Sequence, residues 1–399
     1  MLSKASTSIL SCVRLRRISH SVRECGPRYL EPSSLLPLSY HRLRRRVVWP
    51  CIPAIEAYKR HFSSIAIVPV ITPPVVFVGL ALTLWFYKCC MMILFQNKII
   101  YMPSAPPYSR REKIADYARM CGSVHWEEQR ITSLDGTRIS LCIGRLRDET
   151  TSASPRQSTS HVVVLYFQGN ASSIPPRLPT LSKVLSSLNS GNAYTLVAVS
   201  YRGFWTSQGR ASQRGIEMDA DAAIAWAQTH FKNHLTGSRP KLVLWGQSIG
   251  ASVAAGAASR LLHANESRNL QLSGIILETP FVSIKRMLTS LYPQKWLPYR
   301  YLSPFLWNWW DNEEALRTMA TISVGGSIPI LLITAARDEI VPSDQADDLQ
   351  RLCQQLNFKL TRHDIQGALH TEATLKSEGK EAVVKFLKTQ ISSDHADDR

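Results

Sequence analysis

Three side chains, far apart in the sequence, could act together on a carbonyl. They are Ser248 in Gly246-Gln247-Ser248-Ile249-Gly250, Asp338 in Ala336-Arg337-Asp338-Glu339, and His370 in Gly367-Ala368-Leu369-His370-Thr371. A serine hydroxyl is a weak nucleophile, so it needs a base within hydrogen-bond reach and an acid that orients the base. A Gly-x-Ser-x-Gly string arises by chance in roughly one chain in ten of this composition, so its surroundings decide. Here it follows the apolar run Leu242-Val243-Leu244-Trp245 and opens a stretch of small residues from Ala251 to Arg260. That is a strand turning sharply into a helix, a place where Gly246 and Gly250 are needed to avoid collisions and where the helix dipole favours developing negative charge.

Asp338 follows the apolar run Pro329 to Ala335, so a loop at the carboxyl end of a strand would present its carboxylate to the crevice. Asp364 and Glu278 end other strand candidates and are the alternatives to it. His370 lies between the last strand and the last helix; its rival His363 falls inside the strand candidate. An acyl-transfer site also needs donors for the oxyanion. The Ile249 amide is one, and the loop Gln168-Gly169-Asn170 after the first parallel strand offers Asn170, with Gly169 letting the backbone come close. A plain strand-to-helix turn is the alternative for that loop. This chemistry requires no metal or organic cofactor.

The elements that must position these residues read as alternating strands and helices. "HWEEQRIT" and "RISLCIGRL" flank the turn signal Asp135-Gly136, which predicts an antiparallel hairpin. Apolar runs at Val162, Tyr194, Lys241, Ser273, Ile328 and Lys359 alternate with helical stretches, the last two at Ser343 to Gln355 and Glu372 to Thr389. This is the pattern of a mostly parallel, doubly wound α/β sheet over residues 96–390, followed by a polar tail at 391–399.

Residues 1–64 are different in kind. The first sixty hold twelve Lys and Arg against three Glu, more than half of the formal net charge of +17. The remaining charges are mixed rather than striped, which argues against a nucleic-acid partner. An Arg-rich, Ser-rich, acid-poor leader fits a mitochondrial targeting segment, and a basic flank that follows the positive-inside rule is the alternative. Ile65 to Phe95 is apolar with Lys88 as its only charge, long enough to cross a bilayer either from Ile65 to Tyr87 or from Val75 to Phe95. Pro69, Pro73 and Pro74 favour the second choice, and Trp85-Phe86-Tyr87-Lys88 looks like an interfacial anchor. Gln96 to Lys113 reads as a polar, Pro-rich connector. The eight cysteines show no metal spacing; Cys89 and Cys90 are candidates for S-acylation or for packing at the helix end.

Several segments in order, "FQNKIIYMP", "YFQGNAS", "VSYRGFWTSQGRASQRGIEMDADAAIAW", "WGQSIGAS", "ETPFVSI", "ARDEIVP" and "GALHTE", resemble the membrane-anchored α/β-hydrolase-domain proteins. That group includes depalmitoylating thioesterases and monoacylglycerol or lysophospholipid lipases. The resemblance covers roughly residues 95–390 and implies the α/β-hydrolase fold and a serine hydrolase. Two positions depart from the group: Gln168 stands where it usually has His, and Ser200 where it has Asp before Tyr201-Arg202-Gly203. The resemblance also implies that Tyr201 and Arg202 brace the loop walling the pocket.

The aromatic-rich insertion at about 283–322 resembles a small cap, suited to an acyl-chain channel or a membrane interface. The expected partners are a membrane and an acyl ester or thioester substrate. A peptidase of the same fold and a catalytically weak membrane scaffold are the alternatives. The expected location is the mitochondrial inner membrane or, alternatively, the endoplasmic reticulum and secretory pathway, where Asn265-Glu266-Ser267 could carry a glycan.

Overall fold

The computed structural model describes residues 55–147, 161–188, 193–231, 239–264, 270–322 and 328–392; the Asn265 sequon and the basic leader up to residue 54 lie outside them. The chain divides into two compact units, Met1–Val70 and Ile71–Arg399. Of the first, only the opening residues of α1 (Ile55–Leu94) are described.

In the second unit, β1 (Val124–Thr132) and β2 (Arg138–Leu146) form the expected hairpin. Its turn is closed by Asp135 accepting from the Thr137 amide at 3.1 Å, with Gly136 at φ 85°. β2 pairs antiparallel with β4 (Ala193–Ser200). From there the sheet is parallel, through β3 (His161–Phe167), β5 (Lys241–Gln247), β6 (Gln271–Glu278), β7 (Ile330–Ala335) and β8 (Leu360–Ile365). The spatial order is β1-β2-β4-β3-β5-β6-β7-β8.

Every residue of β5 is buried, because helices cover both faces of the sheet, and its apolar middle Leu242–Trp245 is what such a strand requires. Its side chains alternate between two cores. Leu242 and Leu244 pack with α5 (Gln213–His230) and α6 (Ile249–His263). Val243 and Trp245 pack with the helix Leu178–Ser186, here α4, and with the C-terminal helix Ser377–Ser392, here α10. The alanines of α6 (Ala251, Ala254, Ala255, Ala258) let it lie close against the strand it leaves.

Between β6 and β7 the insertion forms α7 (Ile284–Leu291), two short 3-10 turns and α8 (Asn312–Ile322), and α9 (Ser343–Gln355) follows β7. Two short helices, α2 (Gln96–Tyr101) and α3 (Ile114–Tyr117), precede β1.

Pro69, Pro73 and Pro74 lie within α1, whose stretch Ile71–Leu94 is long and apolar enough to cross a membrane, with none of its apolar window buried in the protein. Two expectations change. The final helix starts at Ser377 rather than Glu372, because 371–376 folds back as turns across Gly379, where an added Cβ would lie 2.0 Å from the Ala373 carbonyl oxygen. The stretch after α1 is more than a polar connector, since Gln96 and Tyr101 are buried.

Candidate active site

Ser248 stands between β5 and α6 at φ 54°, ψ −118°, a backbone conformation that side chains rarely adopt. The turn is tight enough to dictate its neighbours. A Cβ on Gly246 would sit 2.0 Å from the Gly250 carbonyl oxygen, and one on Gly250 would sit 2.1 Å from that of Phe167. Both glycines are therefore required by collision, as the sequence implied. The Ser248 amide donates to the Glu278 carbonyl at 2.8 Å, fixing the turn to β6.

The buried His370 ring links the two other candidates. Its Nε2 lies 2.8 Å from Ser248 Oγ and its Nδ1 lies 2.8 Å from Asp338 Oδ2. The second oxygen of Asp338 accepts the Ile340 and Val341 amides at 2.9 and 2.8 Å, so the carboxylate is held in one orientation by its own loop. The His370 amide in turn donates to Glu339 Oε2 at 3.0 Å.

The alternatives are engaged elsewhere. Asp364 takes Arg362 Nε at 2.7 Å and the Thr334 hydroxyl, and His363 pairs within β8 opposite Ile333. Glu278 is fully buried and accepts from Trp245 Nε1 at 2.9 Å and Thr374 Oγ1 at 2.7 Å. Burial pushes its carboxyl up from 4.5, more than the hydrogen bonds from Thr374 and Trp245 lower it.

Ile249 is the first residue of α6, so no carbonyl of that helix can reach its N–H. Asn170 is half-buried beside the elbow. The next residues, Ala171 and Ser172, have φ of 58° and 63°, and their amides are taken by the carbonyls of Tyr101, at 2.8 Å, and Ala105. Gly169 was expected to permit a close approach; its Cβ would only touch Gln247 O at 3.4 Å and Ser248 Cβ at 3.5 Å, at ordinary separations. Gln168 is completely buried, and neither its amide oxygen nor its nitrogen has a hydrogen-bond partner. Its carbonyl accepts the Tyr201 hydroxyl at 2.9 Å. Arg202 is clamped by Asp219 and Asp135, at 2.8 and 2.6 Å, tying its loop to the β1–β2 turn.

Sequence reading missed a polar network beneath the nucleophile. Gln247 Oε1 accepts from Arg177 at 2.5 Å and from the Tyr166 hydroxyl at 3.3 Å, while its Nε2 donates to Glu278 at 3.4 Å. Burial pushes the Tyr166 hydroxyl up to about 12. The only signal for this network was a carboxylate closing an otherwise apolar strand. Among the described residues, no group of three His, Cys, Asp or Glu comes together as a metal site.

No family model matches the chain. Among solved structures it resembles an alpha-beta hydrolase from Vibrio vulnificus, with a TM-score of 0.53 and 17% identity over 75% of this chain and 92% of that one. The fold is that of the α/β-hydrolases. In sequence the chain is similar to Protein bem46 of Schizosaccharomyces pombe, 27% identical over 73% of the chain and 86% of that protein. It is also similar to the lysophosphatidylserine lipase ABHD12 of Danio rerio, 34% identical over 52% of the chain and only 51% of the relative.

Proposed function

We propose that the chain is a membrane-anchored serine hydrolase that cleaves the carboxylic ester or thioester of an acyl lipid through Ser248, His370 and Asp338. The observation that carries this reading is the His370 ring, 2.8 Å from Ser248 Oγ on one side and 2.8 Å from Asp338 on the other. His370 takes the Ser248 proton as Oγ bonds to the acyl carbon, and the amides of Ile249 and Asn170 hold the oxyanion. The carbon–oxygen or carbon–sulfur bond to the head group then breaks, and the leaving group departs with the proton from His370. A water deprotonated by His370 releases the acyl group from Ser248. Asp338 keeps the ring in the tautomer that presents a bare Nε2 to the hydroxyl.

The name of the Danio rerio relative favours a lysophospholipid as substrate. The acid-poor, Arg-rich segment before Ile65 favours the mitochondrial inner membrane over a secretory one. A glycan on Asn265 would refute that location.

The test of the chemistry is labelling of the full chain in membranes by a fluorophosphonate probe. Wild type should label and Ser248→Ala should not, with hydrolysis of acyl esters falling at least about ten-thousandfold. Equal labelling of the two would remove Ser248 from the mechanism.

A further inference from the structure

The cap does not float above the active site; it is fastened to the helix that would cross the membrane. Trp85, Lys88 and Met92 recur at spacings of three and four and so share one face of α1, and Gln96 follows just beyond its end. Each meets the cap. The Trp85 and Trp296 rings are 5.8 Å apart. Lys88 Nζ stands 4.3 Å above the Tyr299 ring, and the Tyr292 hydroxyl touches Met92 Sδ at 4.0 Å. Beyond the helix end, Gln96 accepts from the Trp307 amide at 2.7 Å and donates to the Phe305 carbonyl at 3.0 Å.

These contacts fix the depth of the cap. Trp85 lies nine residues before Leu94, which at 1.5 Å per residue is about 14 Å up the helix axis. An ammonium needs water or headgroups, so Lys88 marks the boundary of the hydrocarbon and leaves the apolar stretch from Ile71 to Tyr87, about 25 Å at 1.5 Å per residue, to cross it. The last turns of α1, from Lys88 to Leu94, then lie within the interfacial layer, and the cap lies there beside them.

The rest of the cap surface suits that place. Trp296 is 68% exposed and Trp307 57%, and Leu291, Tyr301, Phe305 and Trp309 of the same insertion are exposed as well. Tryptophan and tyrosine at headgroup depth are the usual occupants of a bilayer interface. A soluble protein would not leave so much aromatic surface in one insertion.

We infer that the exposed aromatic face of the cap, around Trp296 and Trp307, is a lipid-bilayer surface set at headgroup depth by its attachment to α1, so that substrate enters from the leaflet. This rests on α1 crossing a membrane and is separable from the hydrolase reading. Retention of the full chain in alkaline-carbonate-washed membranes tests the anchor by itself.

The surface is tested with the full chain in phosphatidylcholine vesicles whose acyl chains are brominated near the headgroup end. Bromine should quench wild-type tryptophan emission, and the Trp296→Phe/Trp307→Phe double variant should lose a share of the quenchable signal. An unchanged quenchable signal would overturn the inference.

The second readout is Trp296→Asp/Trp307→Asp, which should lower hydrolysis of a long-chain monoacyl lipid in vesicles by about tenfold or more, the scale set by burying large apolar side chains. Turnover of water-soluble p-nitrophenyl acetate should stay within about twofold of wild type, since neither residue reaches the serine. An equal fall on both substrates, or on neither, would refute the route through the leaflet. Should wild type hydrolyse neither substrate, the hydrolase reading fails, and quenching still decides the surface.

Discussion

The two loops that meet beside Ser248 are held by different means. The elbow at Ser248 is forced by its own backbone: Gly246 and Gly250 are so tightly enclosed that a single methyl would strike a carbonyl at about the length of a hydrogen bond to hydrogen, 2.0 and 2.1 Å. The facing loop from Gln168 to Ser172 has room for a Cβ at Gly169 and two residues at positive φ, and it is tied down by carbonyls of Tyr101 and Ala105 from outside the sheet. One loop is built from its own residue types, the other from partners supplied by the chain that leaves the membrane helix. A site made this way has a Ser248 of fixed position and a facing loop whose geometry depends on the connector and cap.

Breaking the elbow should have the largest effect. Gly250→Ala places a methyl against the backbone of β3, where no side chain can swing aside, and should lower stability by at least about 3 kcal/mol. Thermal unfolding of the solubilised chain would read it, together with loss of fluorophosphonate labelling. Retention of both the wild-type midpoint and labelling would show that the elbow can relax, and the contrast between the loops would vanish. Gly169→Ala is the matching change on the facing loop and should shift the midpoint by less than about 1 kcal/mol.

The next test cuts the outside support. Asn308 is buried, accepts from the Tyr101 hydroxyl at 2.7 Å and the Gln213 amide at 2.9 Å, and donates to Asn97 at 2.6 Å and Gln96 at 3.2 Å. Asn308→Ala leaves several buried groups unpaired and should reduce stability by about 2 to 4 kcal/mol. It should also lower labelling of an otherwise folded enzyme, because Tyr101 carries the carbonyl that holds Ala171. Undiminished labelling in a folded, destabilised variant would separate the cap from the oxyanion loop.

The same division explains what could be read in advance. The strands, the hairpin turn, Ser248, Asp338 and His370 follow from periodicity and from residue types that a local geometry demands. The supports at Gln96 and Tyr101 do not, because their partners lie 209 residues or more away at Phe305 and Trp310 and nothing in "QNKIIY" encodes a cap. The turns at 371–376 were hidden for a similar reason: the stretch from Glu372 has helical composition, and only packing against Gly379 and the Thr374 bond to Glu278 stop it from winding. Gly169 shows the converse, a residue read as structurally necessary that the observed geometry does not require.

Glu278 provides a pH-dependent test of the network under the elbow. A carboxyl whose folded pKa is raised holds its proton more tightly when folded. Its contribution is therefore neutral below the unfolded value and increasingly unfavourable as pH rises through the window above 4.5. In Glu278→Gln that dependence should disappear, so the unfolding midpoint of the variant should gain on wild type as pH is raised from 4 towards neutrality, by about a few degrees. A constant offset across that range would mean that folding does not raise the Glu278 pKa.

A modest effect of opposite sign is expected at Gln168, and it probes the facing loop most directly. Both atoms of its amide are buried without a partner, a state that normally weakens a fold by about 1 to 3 kcal/mol relative to an apolar side chain of the same shape. Gln168→Met has nearly that shape and should raise the thermal midpoint by roughly 2 °C or more. If it does, with labelling within about twofold of wild type, Gln168 is filling and the oxyanion is held by backbone alone. A lower midpoint would mean that the amide bonds an ordered water, and a lower labelling rate at unchanged stability would mean that it reaches the substrate. In that last case Gln168→His, which restores the residue usual in the proteins this chain resembles, should recover the rate where Met does not.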